Sequence, residues 1–525
     1  MAIKHPSLAP AERELTIHQR NLVDTNFEEG QYEAAIFVLD EITSRKCKPF
    51  PAHIRQLIYI ALYPPPSIED QLEEEAMKLE PGSPSKVLSR RHKSSLAPTP
   101  KAVASAQDLL KKLSRTNKPE SLACAVPSYP DDPSLGLNNR AEEEDSYIAK
   151  QALRLQNARC CWEILKEGFI QRSGSDMMSS PRKPTSRRST RGHYDGDDGW
   201  EDEDNDTPAP VGDHAWSVLD WLLALFEKDE AAVERAGQVR YSPLLLSQIP
   251  PSRAHNTPRW DVEMPLDVAF HALLQDGEAQ RSLGVRLISL LINLTSTTLL
   301  DLNMFLNAVS TRVSSPSVDI LSYLFSSLPP TQTIGHFKVM LCRHALGGSH
   351  TMSGKPKPQA RARAQPRRRT RTTTDAAADA SAGASTSADA DAGANGSLGA
   401  SNQPSTPNAQ DTGADGASSV ARKYPAISTS DVLELFTRAS KLDAASVALT
   451  LSLKAELLIS YALVQQNLGP NDRDGAWQDI LHDGTLRRAV EDVFDLGRVS
   501  RSTDAHAREL IRTKKDALFL AMSMW

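Results

Sequence analysis

Cysteine is scarce in this chain: Cys47, Cys124, Cys160, Cys161 and Cys342, an odd set without regular spacing. A disulfide framework needs an oxidising compartment and a patterned, usually even set, so reduced thiols in the cytosol or nucleus are expected. An excess of one charge is also missing. The net charge of −6 over 525 residues marks neither a strongly basic nucleic-acid binder nor an acidic tail protein. Long apolar runs are absent as well. The most apolar stretch, Leu287 to Leu300, lies between Arg286 and Asp301. It is shorter than the roughly 18 residues a spanning helix needs, so no membrane segment is expected. The first residues have no apolar core of a signal peptide and carry Glu12 and Glu14, so neither a secretory nor a mitochondrial leader is expected.

Catalytic signatures are lacking too. The chain holds no phosphate-cradling G-x-x-x-x-G-K-[ST], no G-x-G-x-x-G between strand and helix, no H-E-x-x-H and no G-x-S-x-G. The expectation is a protein that is not an enzyme and uses no cofactor.

What is present alternates between two compositions. Stretches dense in Leu, Ile and Ala are able to bury a core; others lack large apolar residues and are not. Residues 13–66 read as an N-terminal helical hairpin, with Ala35, Leu39 and Ile42 on one face and Ile54, Leu57, Ile58 and Ala61 on another. Residues 67–104 read as a disordered linker. Residues 105–171 form a helical segment in which Leu155, Ala158, Trp162, Leu165 and Phe169 make a stripe. A charged linker follows over 172–212, basic and then acidic.

Residues 213–347 are the richest helical block. Val218, Trp221, Leu222 and Leu225 share a face, and 287–294 is apolar on nearly every side, as in a central buried helix. Asp301 stands as N-cap to a helix carrying Leu302, Phe305, Leu306, Val309 and Val313 at 3.6-residue spacing, and Ile334, Phe337 and Leu341 align further on. Residues 348–427, basic and then Ala/Asp/Ser-rich, read as a disordered linker. Residues 428–525 are helical again, with Ser428 and Asp431 spaced as a capping box. The fold class is therefore all-α: an irregular helical bundle or a HEAT- or TPR-like stack with long disordered inserts.

Leu22, Gly30, Tyr32 and Ala35 stand at spacings that resemble one tetratricopeptide repeat. The match covers about 35 residues, and no second copy follows at a period of about 34. Val23 occupies the place where that motif has a small residue. The resemblance implies a helical hairpin.

Three groups of side chains invite a chemical reading. Lys355, Lys357, Arg361, Arg363, Arg367, Arg368, Arg369 and Arg371 form a basic run without an acid. Such a run serves nuclear import or contact with a phosphate backbone; it has no interleaved aromatics for stacking on single strands. Ser83, Thr99 and Ser180 each precede proline with a basic residue nearby, a pattern open to proline-directed kinases in linkers. His336, Cys342 and His344 lie close in sequence. On one helix, however, positions eight apart are about 12 Å apart along the axis, too far for one ion, so no metal site is expected. Cys160 and Cys161 read as adjacent buried thiols on a helix.

The expectation is a nuclear, non-enzymatic interaction scaffold or complex subunit, possessing phosphorylatable linkers and binding other proteins, with no membrane contact. The alternative is a chromatin- or DNA-associated factor using residues 355–371; an unrecognised enzyme is a third. Its location is the nucleus, with a cytoplasmic share allowed.

Overall fold

Side-chain caps and prolines mark where the helices begin. Thr16 accepts the Gln19 N–H, and the Gln19 side chain takes the Thr16 N–H at 3.0 Å, a reciprocal box that opens α1 (Ile17–Glu28). Gly30, at φ +73°, makes the left-handed turn into α2 (Tyr32–Ile42), which packs on α1. The hairpin implied by the repeat-like motif is therefore present. Its apolar register differs: Leu22 is 53% exposed and Val23 is fully buried. Pro51 and Pro100 open α3 (Pro51–Ala61) and α4 (Pro100–Thr116), where the missing N–H has no helical partner to lose. α4 thus starts inside the stretch expected as linker, because Thr99 caps it by accepting the Ala102 N–H at 3.0 Å.

The computed structural model describes residues 12–43, 47–66, 96–129, 146–171, 208–252, 257–313, 318–347, 424–425, 427–438, 444–469, 471–495 and 505–525. Of the expected linkers at 67–104, 172–212 and 348–427, residues 67–95, 172–207 and 348–423 lie outside the described residues. All described residues fall in the unit formed by Met1–Ser349 and Val420–Trp525.

The chain continues through α5 (Pro119–Ala123), α6 (Tyr147–Ala152), a 3₁₀ turn (Leu153–Asn157) and α7 (Cys161–Leu165). Then come α8 (Trp216–Arg235), α9 (Pro243–Leu246), α10 (Glu263–Leu273), α11 (Glu278–Thr295) and α12 (Leu302–Val313). After α13 (Val318–Ser327) and α14 (Gln332–Gly347), the C-terminal part holds α15 (Thr429–Thr437), α16 (Ala444–Asn467), α17 (Gly475–His482), α18 (Thr485–Val493) and α19 (Ala505–Met522). Among the described residues the only strands are β1 (Arg13–Glu14) and β2 (Cys47–Lys48), paired in parallel. Two residues are too few to show the alternation that marks a strand in sequence.

The all-α class is what the packing shows. α2 and α3 rest on α4, α4 on α8, α8 on α11, α11 on α14, α14 on α16, and α16 on α19. One contiguous apolar cluster runs through these helices from Leu15 to Leu518. The stripe of α12 is buried as its spacing requires, and so is the face of α8 that carries Val218, Trp221, Leu222 and Leu225. α11 is buried on nearly every side beyond Leu283.

Polar groups join successive layers. The Lys228 ammonium of α8 donates to the carbonyl oxygens of Ser114, Arg115 and Asn117 at 2.5–3.0 Å, satisfying the open carbonyls at the end of α4. Arg286 of α11 grips Glu227 of α8 through two bonds of 2.7 and 2.9 Å and reaches Asp220 at 2.6 Å.

Two elements depart from expectation. The stripe from Leu155 to Phe169 does not ride on one helix: Ala158 and Cys160 are extended and divide it into short turns. Burial still holds for Leu155, Ala158, Trp162 and Leu165. Gln248 explains the break, since its side-chain oxygen takes the Cys161 N–H at 2.8 Å and its carbonyl takes the Trp162 indole N–H at 3.1 Å. Of the two buried thiols, Cys161 is helical and Cys160 is the residue before the helix. The second departure is α16. Over Val447–Asn467 it is long and apolar enough to cross a membrane, with mean hydropathy 1.7. Yet 72% of that window is buried in the protein, against α13, α14, α15 and α19.

Candidate binding cleft

α14 and α16 approach closely because Gly335 has no side chain. A Cβ there would meet Val464 Cγ2 at 3.0 Å. One turn further along α14, Lys338 is 9% exposed. A lysine at that depth requires partners for its ammonium. It donates to the Phe325 carbonyl at 2.5 Å and to Glu456 of α16 at 3.1 Å, and it lies 5.6 Å from the centre of the Phe325 ring. The pair fixes α13, α14 and α16 to one another. α19 closes the arrangement, where Lys514 donates to Ser322 Oγ of α13 at 3.1 Å.

Between these four helices lies a cavity of about 300 Å³. Its walls are mixed: Leu328, Ile334, Ile459, Leu463 and Val464 are apolar, while Ser322, Ser326, Thr331, Ser460 and Asn467 supply polar atoms beside the charged Lys338, Glu456 and Lys514. Ser326, Pro329, Pro330 and Asn467 are exposed, so the cavity opens to solvent at their side. Its charges are unequal in their compensation. Lys338 is matched by Glu456, whereas Lys514 forms no ion pair with any described residue. Ser460 Oγ lies 3.5 Å from Glu456, at the limit of a hydrogen bond, and that carboxylate is already engaged by Lys338. The arrangement lacks the close hydroxyl-to-base contact of an activated nucleophile. It is able to hold an apolar group with an adjacent negative charge.

The residues singled out in the sequence lie elsewhere. Lys355, Lys357, Arg361, Arg363, Arg367, Arg368, Arg369 and Arg371 are outside the described residues, as are Ser83 and Ser180. Thr99 is described, and besides capping α4 its hydroxyl donates to Glu33 of α2 at 2.9 Å. Lys101 pairs with the same carboxylate at 2.7 Å, and these two bonds, that of Lys101 first, hold Glu33 below the usual carboxylate range. His336 stacks on Tyr424 with ring centres 5.2 Å apart, and Cys342 is fully buried, which pushes its thiol well up. Among the described residues no group of three His, Cys, Asp or Glu side chains is placed to hold a metal ion.

The cleft residues Lys338, Glu456, Ser322 and Lys514 were not legible as a site. A signal existed for two of them: a lone charge inside an apolar helical run has to find a buried partner. Lys454 gives the same signal. It is 4% exposed, donates to the Arg438 carbonyl at 2.6 Å, and is pushed down to about 8 by burial.

No protein-family model, curated protein or solved structure matches this chain.

Proposed function

We propose that the chain is a non-enzymatic protein–protein interaction scaffold or complex subunit that works in the nucleus. The observation that supports this reading is the solvent-open cleft of α13, α14, α16 and α19, which joins apolar side chains to polar ones and whose Lys514 ammonium has no acid partner among the described residues. Apolar side chains set beside placed polar groups suit recognition. The nuclear part rests on the basic run over 355–371, and regulation by phosphorylation rests on the Ser-Pro and Thr-Pro sequences at Ser83, Thr99 and Ser180.

Affinity purification of the tagged chain, with and without residues 355–371, tests the reading. A defined partner set retained by both forms is expected; recovery of nothing above background would overturn the scaffold. Arg367, Arg368 and Arg369 changed together to Ala should move a fluorescent fusion towards the cytoplasm, and unchanged nuclear retention would remove this run as the import signal.

The eight cations of a run that holds no acid favour one second reading, direct contact with a DNA backbone. A salt-dependent gel shift that disappears when the run is deleted would establish it in place of import.

A further inference from the structure

We propose that the cleft of α13, α14, α16 and α19 takes a linear peptide from a partner protein, seating one large apolar side chain between Leu328, Ile334, Leu463 and Val464 and an adjacent carboxylate on Lys514. This deepens the interaction reading above and rests on it. Charge decides the sign of the ligand. Of the three charged side chains in the lining, Lys338 and Glu456 cancel at 3.1 Å, which leaves the Lys514 ammonium as the net charge a ligand meets. An ammonium has three donors. Ser322 Oγ uses one of them, so two remain for a carboxylate.

Size and access decide the class. A cavity of about 300 Å³ is at the lower end of ligand pockets, which run from about 300 to 1,000 Å³, and suits a side chain better than a whole cofactor. Its mouth is solvent-exposed at Ser326, Pro329, Pro330 and Asn467, so a chain is able to enter and leave across it. The Asn467 side-chain amide has no hydrogen bond among the described residues, which leaves it for the backbone of such a chain. Lys338 lies beneath as a fixed floor, because its ammonium is already satisfied by Phe325 and Glu456.

A phage-displayed library of random linear peptides, selected on the intact chain and counter-selected on Lys514→Glu, tests the proposal. Enriched sequences are expected to pair a large apolar residue with a neighbouring Asp or Glu. Fluorescence anisotropy should then show binding weakened about tenfold or more by Lys514→Glu, with Lys514→Arg close to wild type. Changing the peptide's acid to Lys should restore binding to Lys514→Glu. Ser326→Trp, which fills the exposed mouth without touching a charge, should weaken binding as well and guards against a folding defect in the first variant.

Enrichment of nothing, of basic peptides, or of peptides bound equally by wild type and Lys514→Glu overturns the proposal. Saturable binding of octanoate that depends on Lys514, with no peptide selected, also overturns it and assigns the cleft to a small amphipathic anion. If the Lys514→Glu chain still co-purifies its full cellular partner set, the cleft assignment falls and the broader interaction reading stands.

Discussion

Gly284 lies inside α11 where that helix crosses α10, and replacing it by Ala sets two known effects against each other. Alanine favours a helix interior over glycine by about 0.8–1.0 kcal/mol. The added Cβ, however, would stand 2.6 Å from the Ala269 carbonyl oxygen, 2.9 Å from Leu273 Cγ and 3.1 Å from Leu273 N. Ordinary contact begins near 3.4 Å, so the closest approach falls short by 0.8 Å. Leu273 is able to swing its side chain, but two of the three obstacles are backbone, and a backbone carbonyl moves only with its helix. Overpacking of this kind costs about 1–3 kcal/mol, and more when a whole helix has to shift. The two backbone obstacles put the cost at the upper end of that range, about 3 kcal/mol, so Gly284→Ala should destabilise the protein by about 2 kcal/mol net of the propensity gain. Gly475→Ala is the control. It makes the same chemical change at the start of α17, where nothing lies within 4 Å of the new Cβ, and should be neutral or stabilising. Urea unfolding of both intact variants, followed by helical circular dichroism, reads the sign. Equal or greater stability of Gly284→Ala would refute the close α10–α11 approach.

Three further outcomes follow from burial, titration and capping. Leu306 is 3% exposed in the α12 stripe and Thr311 is exposed on the same helix. Leu306→Asp should cost at least about 3 kcal/mol while Thr311→Asp stays within about 0.5, and similar melting curves would mean the stripe is not buried. Lys454, pushed from 10.5 to about 8 by burial, binds its proton more weakly in the folded than in the unfolded state. Below pH 8 this costs about 3 kcal/mol, and the cost fades as pH rises from about 8 to 10.5, where the unfolded chain holds more protons. Lys454→Met should thus stabilise the protein at pH 7, less the lost bond to Arg438, with an advantage that shrinks towards pH 10.5; an advantage independent of pH would contradict this account. Thr99→Ala removes the α4 cap and the bond to Glu33 and should cost about 1 kcal/mol, while Thr99→Ser should cost less. Hydrogen exchange in the first turn of α4 is the readout, and equal protection in Thr99→Ala would remove the cap.

The helices most legible in the sequence are those whose periodicity is set by one buried face or by burial on all sides. The α12 stripe, the α8 face and the near-continuous apolar run of α11 are of this kind. α3 was legible as a helix but not in its depth, because His53 and Gln56 look like a wet face and are both buried. His53 finds Asp24 at 2.8 Å, a partner 29 residues away that no local pattern reveals. The break between the 3₁₀ turn and α7 depends on Gln248, 87 residues from Cys161. The cleft is the extreme case, since Ser322 and Lys514 meet across 192 residues and Lys338 and Glu456 across 118. Spacing reports which side of a helix is buried; it does not report which helix lies opposite.

Helices before and after residues 348–423 share one core, joined chiefly where α14 packs on α16. A site-specific protease sequence inserted after Ala400 allows the intact, folded protein to be cut once between them. The two fragments should stay associated on size-exclusion chromatography under native conditions and separate only in denaturant. Fragments that elute separately without denaturant, each still helical, would contradict the shared core.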